Sequence, residues 1–97
     1  MTIKAIVELT LQEGKRDEFM RLLEGLMAQH RSMMHAAGWH GSTMYAVVDD
    51  PDKIVEIAEW ESAEARDAVM QSEAMGAFAP LFELLAAPPT ATVIGRP

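Results

Sequence analysis

Residues 44–60 read MYAVVDDPDKIVEIAEW, and this stretch decides the fold. Met44, Tyr45, Val47 and Val48 belong to a strand expected over residues 41–48, and Asp49-Asp50-Pro51-Asp52 is a strong turn signal. From Lys53 to Trp60 the chain alternates, with Ile54, Ala58 and Trp60 on one face and Val55 and Ile57 on the other. Two such runs around a short Asp/Pro turn form an antiparallel hairpin. The second strand is apolar on both faces, so both faces need cover.

Upstream, residues 3–11 also alternate, with Ala5, Val7, Leu9 and Leu11 on one side, which predicts a half-buried strand. Glu13-Gly14-Lys15 turns the chain. Beyond it Phe19, Leu22, Leu23, Leu26, Met27, His30, Met33 and Met34 recur at spacings of three and four, the stripe of an amphipathic helix. Asp17 and Glu18 suit the positive end of its dipole, and Gly38 suits its C-terminus. Downstream of the hairpin, Ser62 is placed to cap a helix running from Ala63 to about Gln71. A second helical stretch over 73–86 is bent or restarted by Pro80, and residues 90–94 form a last β-branched strand.

The order β-α-β-β-α-β is the ferredoxin-like split arrangement, an α+β fold with a four-stranded antiparallel sheet. Two helices form one layer and cover one face of that sheet. An uncovered apolar face is the kind of patch that monomers avoid. A second copy packed sheet against sheet would cover it, so a homodimer is expected. The alternative is a face that tolerates water, as antiparallel sheets often do.

Composition narrows the function. A chain of 97 residues fits a single domain spanning 1–97. The absence of cysteine removes disulfides, thiolate metal sites and cysteine nucleophiles. A net charge of −7 repels phosphate backbones and anionic lipid, so nucleic acid and membrane are not expected partners. No basic stretch followed by an apolar one opens the sequence, and no apolar run approaches the roughly 20 residues of a membrane span, so a cytoplasmic location is expected.

Several pieces, in order, resemble the antibiotic biosynthesis monooxygenase family of small dimeric α+β barrels. They are Gly14-Lys15-Arg16-Asp17-Glu18-Phe19, Ala37-Gly38-Trp39, Glu59-Trp60-Glu61-Ser62 with Ala65, and the tail Phe78, Pro80-Leu81 and Ala87-Pro88-Pro89. The resemblance implies oxidation of a small aromatic quinol, anthrone or polyketide-like substrate by O2, with no cofactor and no metal. Other members of the superfamily imply two alternatives: a non-oxidative isomerase or cyclase, or a small-ligand-binding module without catalysis. The chain also departs from its relatives. Val69 and Ala74 stand where many of them carry histidines, and Glu56 stands where some oxygenases place an asparagine. With no asparagine anywhere and no histidine on the second helix, haem degradation is disfavoured.

Cofactor-free oxygenation needs a base, a dry pocket and a hydrogen-bond donor. His30, near the centre of the helical stripe at about 100° per residue, points at the sheet, and its ordinary pKa of about 6.5 suits proton abstraction. It is either a base or a core histidine satisfied by a backbone carbonyl. Glu56 shares a face with Ala58 and Trp60; it is a second base, a group orienting His30, or a salt-paired edge residue. Trp60, Tyr45, His40, Met27 and Phe19 are the candidates for holding a flat ring; Trp60 reads equally as a core or dimer-interface aromatic, and the methionines read first as core filler. His40 precedes Gly41, where backbone can approach closely, and its first alternative is a surface or turn role. His35 lies roughly 140° from His30 around the helix and faces solvent, so the two cannot clamp a metal.

Overall fold

The hairpin forms, but its turn lies earlier than the Asp/Pro signal. In the computed structural model, which describes residues 1–97, strand β2 (Trp39–Val47) turns at Val48-Asp49 into β3 (Asp50–Trp60). Val47 pairs with Asp50 and Ala46 with Ile54, so residues 51–53 form a bulge opposite β2. Pro51, which has no N–H to give a ladder, is accommodated there. The acidic residues act as staples. Asp50 Oδ1 accepts from the Asp52 N–H at 3.0 Å, Asp52 Oδ1 accepts from Gly14 N–H at 3.1 Å, and the Asp52 carbonyl accepts from Leu11 N–H at 2.7 Å.

Strand β1 (Ile3–Thr10) lies between β3 and β4 (Thr90–Ile94), giving the order β2-β3-β1-β4 with every neighbour antiparallel. Leu11, expected at the end of β1, instead makes an isolated bridge to Leu85. The helices are α1 (Arg16–Ala36), α2 (Ala63–Met70) and the short α3 (Ala79–Phe82). The expected helix over 73–86 is divided. Glu73–Phe78 is a 3-10 helix, and Pro80 sits in the first turn of α3, where its missing N–H has no partner to lose. The Ser62 side chain caps α2 by accepting from Ala65 N–H at 3.0 Å. The fold is therefore the expected β-α-β-β-α-β ferredoxin-like one. No helix is long and apolar enough to cross a membrane.

The core lies between the sheet and the helices. Ile3, Ala5 and Leu9 of β1 and Ile54, Ala58 and Trp60 of β3 face Phe19 and Met34 of α1, Val69 of α2, and Phe78 and Leu81. β2 begins two residues before its expected start because Gly38 ends α1 abruptly. Its φ is +106°, and a Cβ there would meet the Ala65 Cβ at 3.0 Å. Gly38→Ala is therefore expected to cost about 1–3 kcal/mol, lowering the thermal midpoint by about 4–8 °C per kcal/mol. Gly25→Ala, mid-helix and with open space where a Cβ would stand, is expected to raise it instead. Thermal unfolding of the two variants, followed by circular dichroism, checks the contrast.

Candidate functional site

Small residues in the middle of the sheet leave room beneath the helices. Ala5 of β1 faces Ala58 of β3 across the ladder, and Val7 faces Ala91 of β4. Above this floor opens a cavity of about 310 Å3, at the lower end of the size of small-molecule sites. Phe19, Leu23, Met27 and Met34 of α1 line one wall. Trp39, Met44 and Trp60 line a second, and Met70, Met75, Phe78, Leu81 and Phe82 close the far side. A strap holds that side in place. The Gln12 side chain donates to the Glu83 carbonyl at 3.0 Å, and Ala86 N–H donates to the Thr10 carbonyl at 2.8 Å.

Three polar side chains interrupt this apolar lining: Ser42, Glu56 and Arg66. Glu56 sits in the apolar row Ile54, Ala58, Trp60 because β3 alternates strictly there, so its carboxyl turns toward the helices. Burial pushes its pKa above the usual carboxylate value of 4.5, while hydrogen bonding by the Ser42 side chain and the positive charge of Arg66 act the other way. The Ser42 hydroxyl is itself oriented, since its Oγ accepts from Trp39 Nε1–H at 2.9 Å. That leaves the hydroxyl hydrogen to donate. The chemical result is one carboxyl, reluctant to ionise, at the polar end of an aromatic- and methionine-walled space.

Of the residues singled out in the sequence, Glu56, Trp60, Phe19 and Met27 meet at this cavity. Trp60, 3% exposed, also belongs to the core. His30 does not line the space. Its ring packs against Phe78 at 5.7 Å, and it is the phenyl ring that faces the cavity. The reason is the 3-10 helix, which the periodicity of residues 73–86 did not reveal and which carries Phe78 under α1. Tyr45 and His40 are placed elsewhere. Tyr45 pairs with Val55 on the helix-free face and is 52% exposed. His40 stands in a bulge on the outer edge, 3.8 Å from Glu59 Oε1, and the space beside Gly41 is open rather than a close backbone approach. His35 is exposed as expected, with Nδ1 bonded to the Trp39 carbonyl at 2.9 Å and its ring 4.8 Å from the Trp39 indole.

Arg66, Ser42 and Trp39 went unread in the sequence although signals existed. Arg66 precedes Val69 by three positions and so shares its inward helix face. Ser42, Met44 and Ala46 alternate onto one side of β2.

The family model described as antibiotic biosynthesis monooxygenase matches residues 2–81, from β1 through α3. The chain belongs to the antibiotic biosynthesis monooxygenase family. Solved structures agree on the fold. A conserved protein from Methanosarcina mazei Go1 is 19% identical with a TM-score of 0.77, covering 97% of this chain and 91% of its own. A Bordetella bronchiseptica protein named for the same family is 21% identical with a TM-score of 0.76, covering 98% and 96%. A protein from Mycobacterium tuberculosis is 21% identical with a TM-score of 0.74, covering 99% and 95%. No curated protein matches the chain.

Proposed function

We propose that this family member is a homodimeric, cofactor-independent monooxygenase that oxidises a small aromatic quinol, anthrone or polyketide-like substrate with O2, using Glu56 as its base. The observation that carries the reading is the solitary carboxyl at the polar end of an apolar cavity. Trp60, Trp39 and Phe19 offer flat faces for a ring system, and the cavity methionines offer polarizable edges. Glu56, as carboxylate, removes the acidic proton of the substrate, and a raised pKa makes it a stronger base toward a phenol or an anthrone than an ordinary glutamate.

The electron-rich anion passes one electron to O2, and the two radicals join in a carbon–oxygen bond. Protonation gives a hydroperoxide. Loss of water, as the O–O bond breaks and the carbon gives up its second hydrogen, leaves the ketone. One oxygen atom enters the product and one leaves as water. The exclusion of bulk water by the apolar walls protects the anion and the hydroperoxide from side reactions.

The test is oxygen uptake by purified, metal-free protein given anthrones and hydroquinones. One O2 consumed per substrate oxidised, with no hydrogen peroxide released, is the expected result. Absence of uptake above buffer across several substrates overturns it, and turnover that continues anaerobically selects an isomerase or cyclase instead.

A further inference from the structure

Arg66 is the only cationic side chain that lines the cavity. The ion pairs of the molecule are Lys15–Glu18, His40–Glu59 and Lys53–Glu8, so no carboxylate lies within 4 Å of its guanidinium. The Arg66 guanidinium makes no hydrogen bond within the chain, and no side-chain nitrogen is both buried and unpartnered, so its donors are accessible. It is half-buried on a capped helix, in a chain that carries 15 acidic residues against 8 basic ones. With an overall charge of −7, the protein offers an anion no general attraction, so any recognition of one must be local.

We infer that Arg66 binds a carboxylate carried by the aromatic substrate, making aromatic acids the preferred ligand class of this cavity. The guanidinium presents a planar fork that matches a carboxylate in bidentate geometry. Glu56 is then left to face the acidic proton of the same molecule, and the apolar walls hold its rings. This deepens the proposed function and rests on its reading of the cavity as the substrate site.

Calorimetric titration with 2-naphthoate and with its neutral isostere 2-naphthamide tests the inference without requiring turnover. The unaltered protein is expected to bind the acid at least about tenfold more tightly than the amide. Arg66→Gln should remove that preference by weakening the acid alone, and Arg66→Lys should keep part of it. Unchanged thermal unfolding of both variants shows that the fold is intact. Equal affinity for acid and amide in the unaltered protein, equal weakening of both by Arg66→Gln, or failure of both to bind overturns the inference. Loss of the acid preference in Arg66→Gln, together with no oxygen uptake from any quinol, supports the anion site and overturns only the oxygenase reading.

Discussion

Glu56→Gln is expected to slow substrate oxidation by about 10²–10⁴-fold, the range that a positioned general base supplies. The substitution keeps the shape and the hydrogen bonding to Ser42 and removes only the ability to take a proton. With Glu56 as the proposed base the active form is the carboxylate, so kcat/KM should climb with pH through the Glu56 pKa. Burial puts that rise above the ordinary 4.5. The variant should lose this acid-side limb along with the rate, and Glu56→Asp should keep the limb at reduced rate. A Glu56→Gln protein that consumes oxygen at the normal rate, with the same pH limb, transfers the base role to another group. His30 is the next in sequence logic, but it would have to act past Phe78.

The same carboxyl works against the fold at neutral pH. Because its pKa is higher in the folded than in the unfolded chain, the folded state holds this proton more tightly. Its contribution to stability is then greatest below the unfolded value and is lost as pH rises through the folded one. Glu56→Gln should therefore raise the thermal midpoint at pH 7 and leave it little changed near pH 4. A variant both slower and more stable is the signature of a group kept for chemistry rather than for packing. Thermal unfolding across pH 4–8 reads this directly.

How far the sequence revealed this site follows from which periodicities it contains. Period-2 alternation in β3 placed Glu56 and Trp60 on one face, and the helical stripe placed Phe19 and Met27, because a regular element with one buried side leaves its pattern in the composition of that side. Position along an element is a different matter. His30 lies on the correct stripe of α1, but which neighbour meets it depends on Phe78, set by a 3-10 helix whose three-residue turns carry no amphipathic signal over six residues. The turn of the hairpin lies off the Asp/Pro signal for a related reason. Of Asp49-Asp50-Pro51-Asp52 only Asp49 lies in the turn, while the Asp50 and Asp52 side chains bond to the backbone of a bulge and of the β1–α1 loop and serve closure there. Tyr45 misses the cavity by parity and His40 by a break in register. Tyr45 is on the odd-numbered face of β2, and the bulge at His40 breaks the count before it.

The proposed homodimer leads to the second large effect. The helix-free face of the sheet presents Ile6 directly opposite Ile57, with Val55, Tyr45 and Ile94 nearby. Charges of both signs lie among them, including the Lys53–Glu8 pair at 3.6 Å. A face with both signs has the charges that pairing with itself under a twofold rotation requires, and that is the commonest symmetry of soluble assemblies. Sedimentation equilibrium should give twice the 10.7 kDa chain mass. Ile57→Asp places a carboxylate in the interface twice, once from each protomer, and burying unpaired charge costs several kcal/mol per ion. Dissociation should therefore become at least about a thousandfold easier, at roughly 1.4 kcal/mol per tenfold. Val48→Asp, on a turn residue 97% exposed, should leave the mass unchanged. An unaltered protein that sediments as a monomer at 100 μM concentration (about a hundredfold above a 1 μM Kd), or an Ile57→Asp protein that stays paired, rules out this face. Because the cavity opens on the opposite side of the sheet, the Ile57→Asp monomer should still discriminate 2-naphthoate from 2-naphthamide. That result separates what assembly contributes from what the site does alone.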